Sequence, residues 1–236
     1  FGRGGGRTKA KFTRPQTHWL GAVTLPWEGT FLPTAAAEGY EARELSFAQA
    51  VAGEGGAAAW TLKPIPTLIA VYDPSSKPQM KTLWELDQNK SFVAAAHYFN
   101  LVRIDVRTLK DQGLRKQLAK QLTFLVFRAK GEQVATVAMT RKARLKDVLA
   151  SFDTVFQKDY GVPTASAIDR MGRTLAREAW VKDALKRNEQ NVICPDCGGP
   201  VEPVQKGVRK LREEMRQIEA TKASLTKVND GALATR

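Results

Sequence analysis

The only thiols in the chain, Cys194 and Cys197, stand two residues apart in Cys194-Pro195-Asp196-Cys197-Gly198-Gly199. Sulfurs at this spacing can grip one soft metal ion, close a local disulfide, or cycle between thiol and disulfide. A structural zinc takes four ligands. This chain offers half of such a set, because no second cysteine pair follows and its histidines, His18 and His97, lie far away in sequence. A zinc held through Cys194 and Cys197 would therefore be shared with a second chain. A metal or disulfide site, a redox pair and plain free thiols all stay open on spacing alone.

The other concentrated chemistry is basic. Arg3, Arg7, Lys9, Lys11 and Arg14 fall within the first 16 residues, beside four glycines and no acid. Such a segment cannot bury a core of its own, which makes it a candidate partner-binding arm. The whole chain of 236 residues carries a formal net charge of +13. A basic balance favours acidic partners: a nucleic acid, an anionic membrane surface or an acidic protein. The charge is spread along the chain and accompanies no nucleic-acid motif, so nucleic acid ranks below protein partners. The longest apolar run, Leu68 to Tyr72, is strand-sized, and no transmembrane segment is expected. A Gly-rich basic start at Phe1 is compatible with leader removal and an exported or periplasmic protein, with the cytoplasm as the alternative.

These groups need elements to position them. Residues 17–59 are irregular, with Trp19, Trp27 and Phe31 too apolar for a free tail and Pro26 and Pro33 interrupting regular structure. From Pro66 the period changes. Thr67 to Tyr72 reads as a buried strand, and a helix is expected from about Pro78 to Tyr98, with Met80, Leu83, Trp84, Leu86 and Phe92 as its apolar positions. Leu101 to Val106 reads as a second strand and Lys110 to Lys120 as a helix. Thr123–Phe127 and Val134–Met139 form a hairpin across Lys130-Gly131, and Leu145 to Phe156 closes with helical spacing. Strands joined through a helix should run parallel and the hairpin antiparallel, giving an α/β chain with a mixed sheet flanked by helices.

Beyond this core, Ser166 to Arg187 reads as a helix. Val204, Val208, Leu211, Met215, Ile218, Lys222 and Leu225 then follow at alternating spacings of four and three, a short heptad pattern with Lys222 as its polar interruption. Leu211, Met215 and Ile218 are its central candidates for partner binding, and a partner chain or a second copy is expected to cover the stripe slightly ahead of the chain's own domain.

The stretch Leu122 to Leu149, with its strand Thr123–Phe127, its turn Lys130-Gly131-Glu132 and its helix from Arg144, resembles the second half of thioredoxin. Upstream, Leu68 to Tyr72 resembles the strand that leads into the family's Cys-Gly-Pro-Cys. The resemblance implies a thioredoxin-like domain over residues 60–157 in which Ser76-Lys77-Pro78-Gln79 occupies the place of that motif. Ser76 then stands where the nucleophilic thiol would be, Gln79 where the resolving thiol would be, and Leu122 where the family carries a proline. A serine hydroxyl cannot exchange disulfides, so a redox-inactive member is implied, with no catalytic residue and no enzymatic activity. The Cys194–Cys197 turn resembles the first knuckle of a zinc ribbon without the second.

The organisation expected is an arm at 1–16, an irregular extension at 17–59, the thioredoxin-like domain at 60–157, a helical segment at 158–190, the cysteine knuckle at 191–203, and an amphipathic, coiled-coil-like helix and tail at 204–236. The function expected is a non-catalytic interaction or structural subunit of a larger protein assembly. A thiol–disulfide oxidoreductase using Cys194 and Cys197 is the first alternative, and a nucleic-acid-binding module working through the arm is the second.

Overall fold

The computed structural model describes Leu25, Trp27 and residues 65–108, 112–140, 145–189 and 202–229. The cysteine pair, His18 and the basic arm (Arg3, Arg7, Lys9, Lys11 and Arg14) lie outside the described residues.

Four contiguous apolar or alternating runs make the strands β1 (Thr67–Tyr72), β2 (Asn100–Asp105), β3 (Thr123–Phe127) and β4 (Gln133–Ala138). They form one mixed sheet in the order β2-β1-β3-β4. β1 and β2 are parallel, with Leu68 opposite Leu101. β3 runs antiparallel to β1, and β4 antiparallel to β3. Every residue of β1 and β3 is buried, as expected for inner strands covered on both faces. The outer strand β4 is only half-buried to exposed.

Side chains alternate across the sheet. Leu68, Ala70, Phe124 and Val126 enter the larger core, while Ile69, Val71, Val102, Leu125 and Phe127 enter the smaller core on the opposite face with Leu118. Leu118 ends helix α3 (Gln112–Leu118). The larger core is covered by α1 (Lys77–Asp87), α2 (Lys90–Ala96), α4 (Leu145–Ser151) and α5 (Asp153–Val155), which widens into a π-helical turn over Phe156–Tyr160. There Phe156 meets Tyr98 edge-on at a centroid distance of 4.9 Å, and Tyr160 meets Tyr98 at 5.1 Å.

The single helix expected from Pro78 to Tyr98 is two helices. The side chain of Asn89 accepts hydrogen bonds from the N–H groups of Ser91 and Phe92 at 3.0 and 3.1 Å, starting α2 afresh. The break also redirects α1. Leu83 and Leu86 face the core, whereas Met80 and Trp84, counted as apolar positions of one long helix, are 40% and 64% exposed.

Two long helices complete the chain, α6 (Thr164–Glu189) and α7 (Glu202–Leu225). α6 is reached through Gly161, whose φ of +67° favours glycine; a Cβ there would sit 2.7 Å from Asn229 Nδ2. Ala167, Met171, Leu175 and Ala179 of α6 share the core of the sheet, so this segment packs as part of the same body. α7 runs antiparallel along α6, as the pairings Glu189–Arg212 and Glu178–Lys222 require. Within the chain, α6 covers part of the apolar stripe: Val208 and Ile218 are buried and Leu211 and Met215 half-buried. Its polar interruption is matched too: Lys222 Nζ donates to Glu178 Oε2 at 2.8 Å.

Candidate functional site

Ser76 and Gln79 lie where β1 turns into α1. Asp73 opens the turn. Its carboxylate accepts from the N–H of Ser75 at 2.9 Å and from the Ser75 hydroxyl at 2.6 Å, a side-chain-closed turn typical of aspartate. These bonds hold the Asp73 carboxyl below its ordinary range, the Ser75 hydroxyl contributing most. Ser76 occupies the N-cap position with extended backbone, its N–H donating to Asp73 O at 3.0 Å, while its side chain makes no capping bond. Pro78 sits in the first turn, where its missing N–H costs nothing.

Gln79 is buried, and both ends of its amide are engaged. Its Oε1 accepts from Asp73 N–H at 2.8 Å, and its Nε2 donates to Ala119 O at 3.0 Å. This one side chain ties the turn after β1 to the end of α3 and so to the approach to β3. Leu122 is buried at the start of that strand, and its carbonyl accepts from Met139 N–H at 2.8 Å. The structure thus brings Ser76 and Gln79 together at one end of the sheet, with the 119–122 segment held beside them.

A nucleophilic Ser76 would need a base within hydrogen-bond reach. His97 does not serve, because it lies at the C-cap of α2, facing Glu178 of α6 and Lys222 of α7. Its Nε2 is buried without a hydrogen-bond partner among the described residues, and burial, reinforced by the Lys222 charge, lowers its pKa to about 4. Glu178 is nearly buried and accepts from Lys182 at 2.6 Å and Lys222 at 2.8 Å. Burial raises its pKa, but these lysines outweigh that and leave it lowered.

The His97 environment makes stability pH-dependent. A histidine that resists protonation in the fold but not in the unfolded chain costs no stability above its ordinary pKa. The cost appears as pH falls through 6.5 and is complete near 4. With about 1.4 kcal/mol per pKa unit, the span from 6.5 to about 4 amounts to about 3 kcal/mol. Glu178, whose pKa is also lowered, adds its loss only below the ordinary glutamate range, where its paired carboxylate is protonated. Urea unfolding at pH 7.5 and 4.5 should show this loss in the native chain and a smaller one in His97→Gln. Equal pH dependence in the two would refute it.

Among the described residues, no group of three or more His, Cys, Asp or Glu side chains is placed to hold a metal ion. No described helix is long and apolar enough to cross a membrane.

Sequence reasoning missed three other polar constructions. Asp159 is fully buried and accepts from Arg128 Nε at 2.9 Å, Arg128 Nη2 at 2.8 Å and Ala129 N–H at 3.2 Å. Trp27 donates from Nε1 to Asp87 at 3.2 Å, Arg103 pairs with the same carboxylate at 2.5 Å, and the Arg103 guanidinium lies 4.4 Å from the Trp27 ring centroid. The third is Glu178 with its two lysines. No local motif announces the first two, since their partners stand 16 to 60 residues apart.

No family model, curated protein or solved structure matches this chain.

Proposed function

We propose that this chain is a non-catalytic thioredoxin-fold subunit that acts by binding other proteins in a larger assembly. The sheet order β2-β1-β3-β4, with a parallel pair followed by an antiparallel hairpin, supports the fold part of this reading. The observation that carries the functional part is Gln79. In this reading the position of a resolving thiol has been taken over by a buried amide whose oxygen and nitrogen are both spent on backbone groups. It braces the turn and has nothing left for chemistry. Ser76 beside it has no histidine base among the described residues. The binding part is supported by Met80 and Trp84, both exposed one helical turn apart on the outer face of α1, where neighbouring large apolar groups can anchor a partner.

The test is disulfide reduction. The full chain should not reduce insulin in the presence of dithiothreitol faster than the reagent alone. Ser76→Cys/Gln79→Cys should gain weak activity at best and should lose stability, because the Gln79 brace goes with it. Robust turnover by the unmodified chain would reject the proposal. Loss of that turnover in Cys194→Ser/Cys197→Ser would assign it to a thiol oxidoreductase working through the cysteine knuckle.

A further inference from the structure

We propose that a cation ridge on α7, made by Lys206, Arg209 and Lys210, docks the phosphate backbone of a nucleic acid. The stretch 203–212 carries four cations, Lys206, Arg209, Lys210 and Arg212, and no carboxylate, with Glu202 and Glu213 bounding it at either end. Arg212 is taken up by Glu189 of α6 at 2.9 Å. Elsewhere on the two long helices, Asp169, Glu178, Asp183, Glu189, Glu213 and Glu214 each pair with a cation. Among the described residues, Lys206, Arg209 and Lys210 have no such partner, and all three are exposed.

Their spacing at i, i+3 and i+4 puts the three on one face, opposite Val204, Val208 and Leu211. Three charges therefore lie within about 6 Å of helix length. That density suits a ligand whose own charges repeat closely and evenly, as phosphates do along a strand.

Two other anionic surfaces fit less well. A helix that lies on a membrane presents an apolar face to the lipid, but the apolar face of α7 is turned onto α6, with Ile218 and Val208 buried. A protein interface concentrates its energy in buried aromatic or aliphatic anchors, and the ridge offers only Gly207 among its cations. The proposal is independent of the protein-binding role of α1.

The experiment uses the full chain and a fluorescein-labelled 24-base-pair RNA duplex, a DNA duplex of the same sequence, and vesicles containing phosphatidylserine. Anisotropy is read between 50 and 200 mM salt. The native chain should bind a duplex with affinity that falls steeply with salt. Lys206→Gln/Arg209→Gln/Lys210→Gln should bind about tenfold or more weakly, and its log–log salt slope should be shallower by about 2 to 3. Glutamine keeps helix propensity, so circular dichroism of the variant should be unchanged. No duplex binding by the native chain, or binding that the triple variant leaves intact in affinity and slope, overturns the proposal. So does a variant that loses vesicle binding while retaining duplex binding.

Discussion

Asp159→Ala should be among the most destabilising single changes in this protein, by about 3–5 kcal/mol, the range for breaking a buried ion pair on one side. The carboxylate is fully buried, and it satisfies two guanidinium nitrogens of Arg128 and the N–H of Ala129. Arg128 itself is only 13% exposed. Removing the acid leaves its charge with Glu132, which is exposed and close at 2.9 Å, as its one remaining acidic partner among the described residues. The damage also spreads, since the backbone oxygen of Asp159 accepts from Asn229 N–H at 2.8 Å and ties in the chain beyond α7. Urea unfolding at pH 7.5 should show the midpoint falling by about 1–2 M for a slope near 2–3 kcal/mol/M. Pairing the change with Arg128→Met should recover part of the loss, because a buried pair replaced on both sides by neutral groups costs less than a broken one. A midpoint within 0.3 M (roughly 0.5–1 kcal/mol) of the native chain would contradict this account.

Ile218→Asp should unfold or detach the C-terminal helix at a cost of about 4 kcal/mol or more. Emptying a buried isoleucine site alone costs about 2–5 kcal/mol, and an unpaired carboxylate in its place adds desolvation. Ile218 is 6% exposed, and the long side of α7 it belongs to meets α6. The expected result is a lower urea midpoint at unchanged oligomeric mass. A variant that keeps its midpoint but loses mass in sedimentation would return the stripe to an intermolecular role.

The contrast with the sequence is instructive at Ile218. Spacings of three and four identify a face that must be covered, because an isolated helix of this length is marginal in water. They do not say by what. The answer depended on Glu178, which sits 44 positions away and supplies the one group that makes Lys222 tolerable in the seam. β1 and β3 were legible because they are short, continuous and apolar, which leaves a buried strand as the natural reading. The division of α1 from α2 was readable in principle from Asn89, a strong N-cap type ahead of Phe92 and Val93, but apolar spacing runs across the break and masks it. At the candidate site, Ser76 and Gln79 could be located by counting from β1. The task Gln79 performs could not, since its second partner, Ala119, is reached only after β2 and α3 have folded back.

The sheet also carries a safeguard in its outermost strand. β4 pairs with β3 on one side, and the register shifts between Val126 and Phe127, where the ladder bulges. A bulge adds local twist and bends the strand that carries it. With only six residues and an exposed glutamine at its start, β4 is a short, twisted margin on which another chain would find few bonds in register. Copies of this protein crowded side by side should therefore find β4 a poor edge on which to join sheet to sheet.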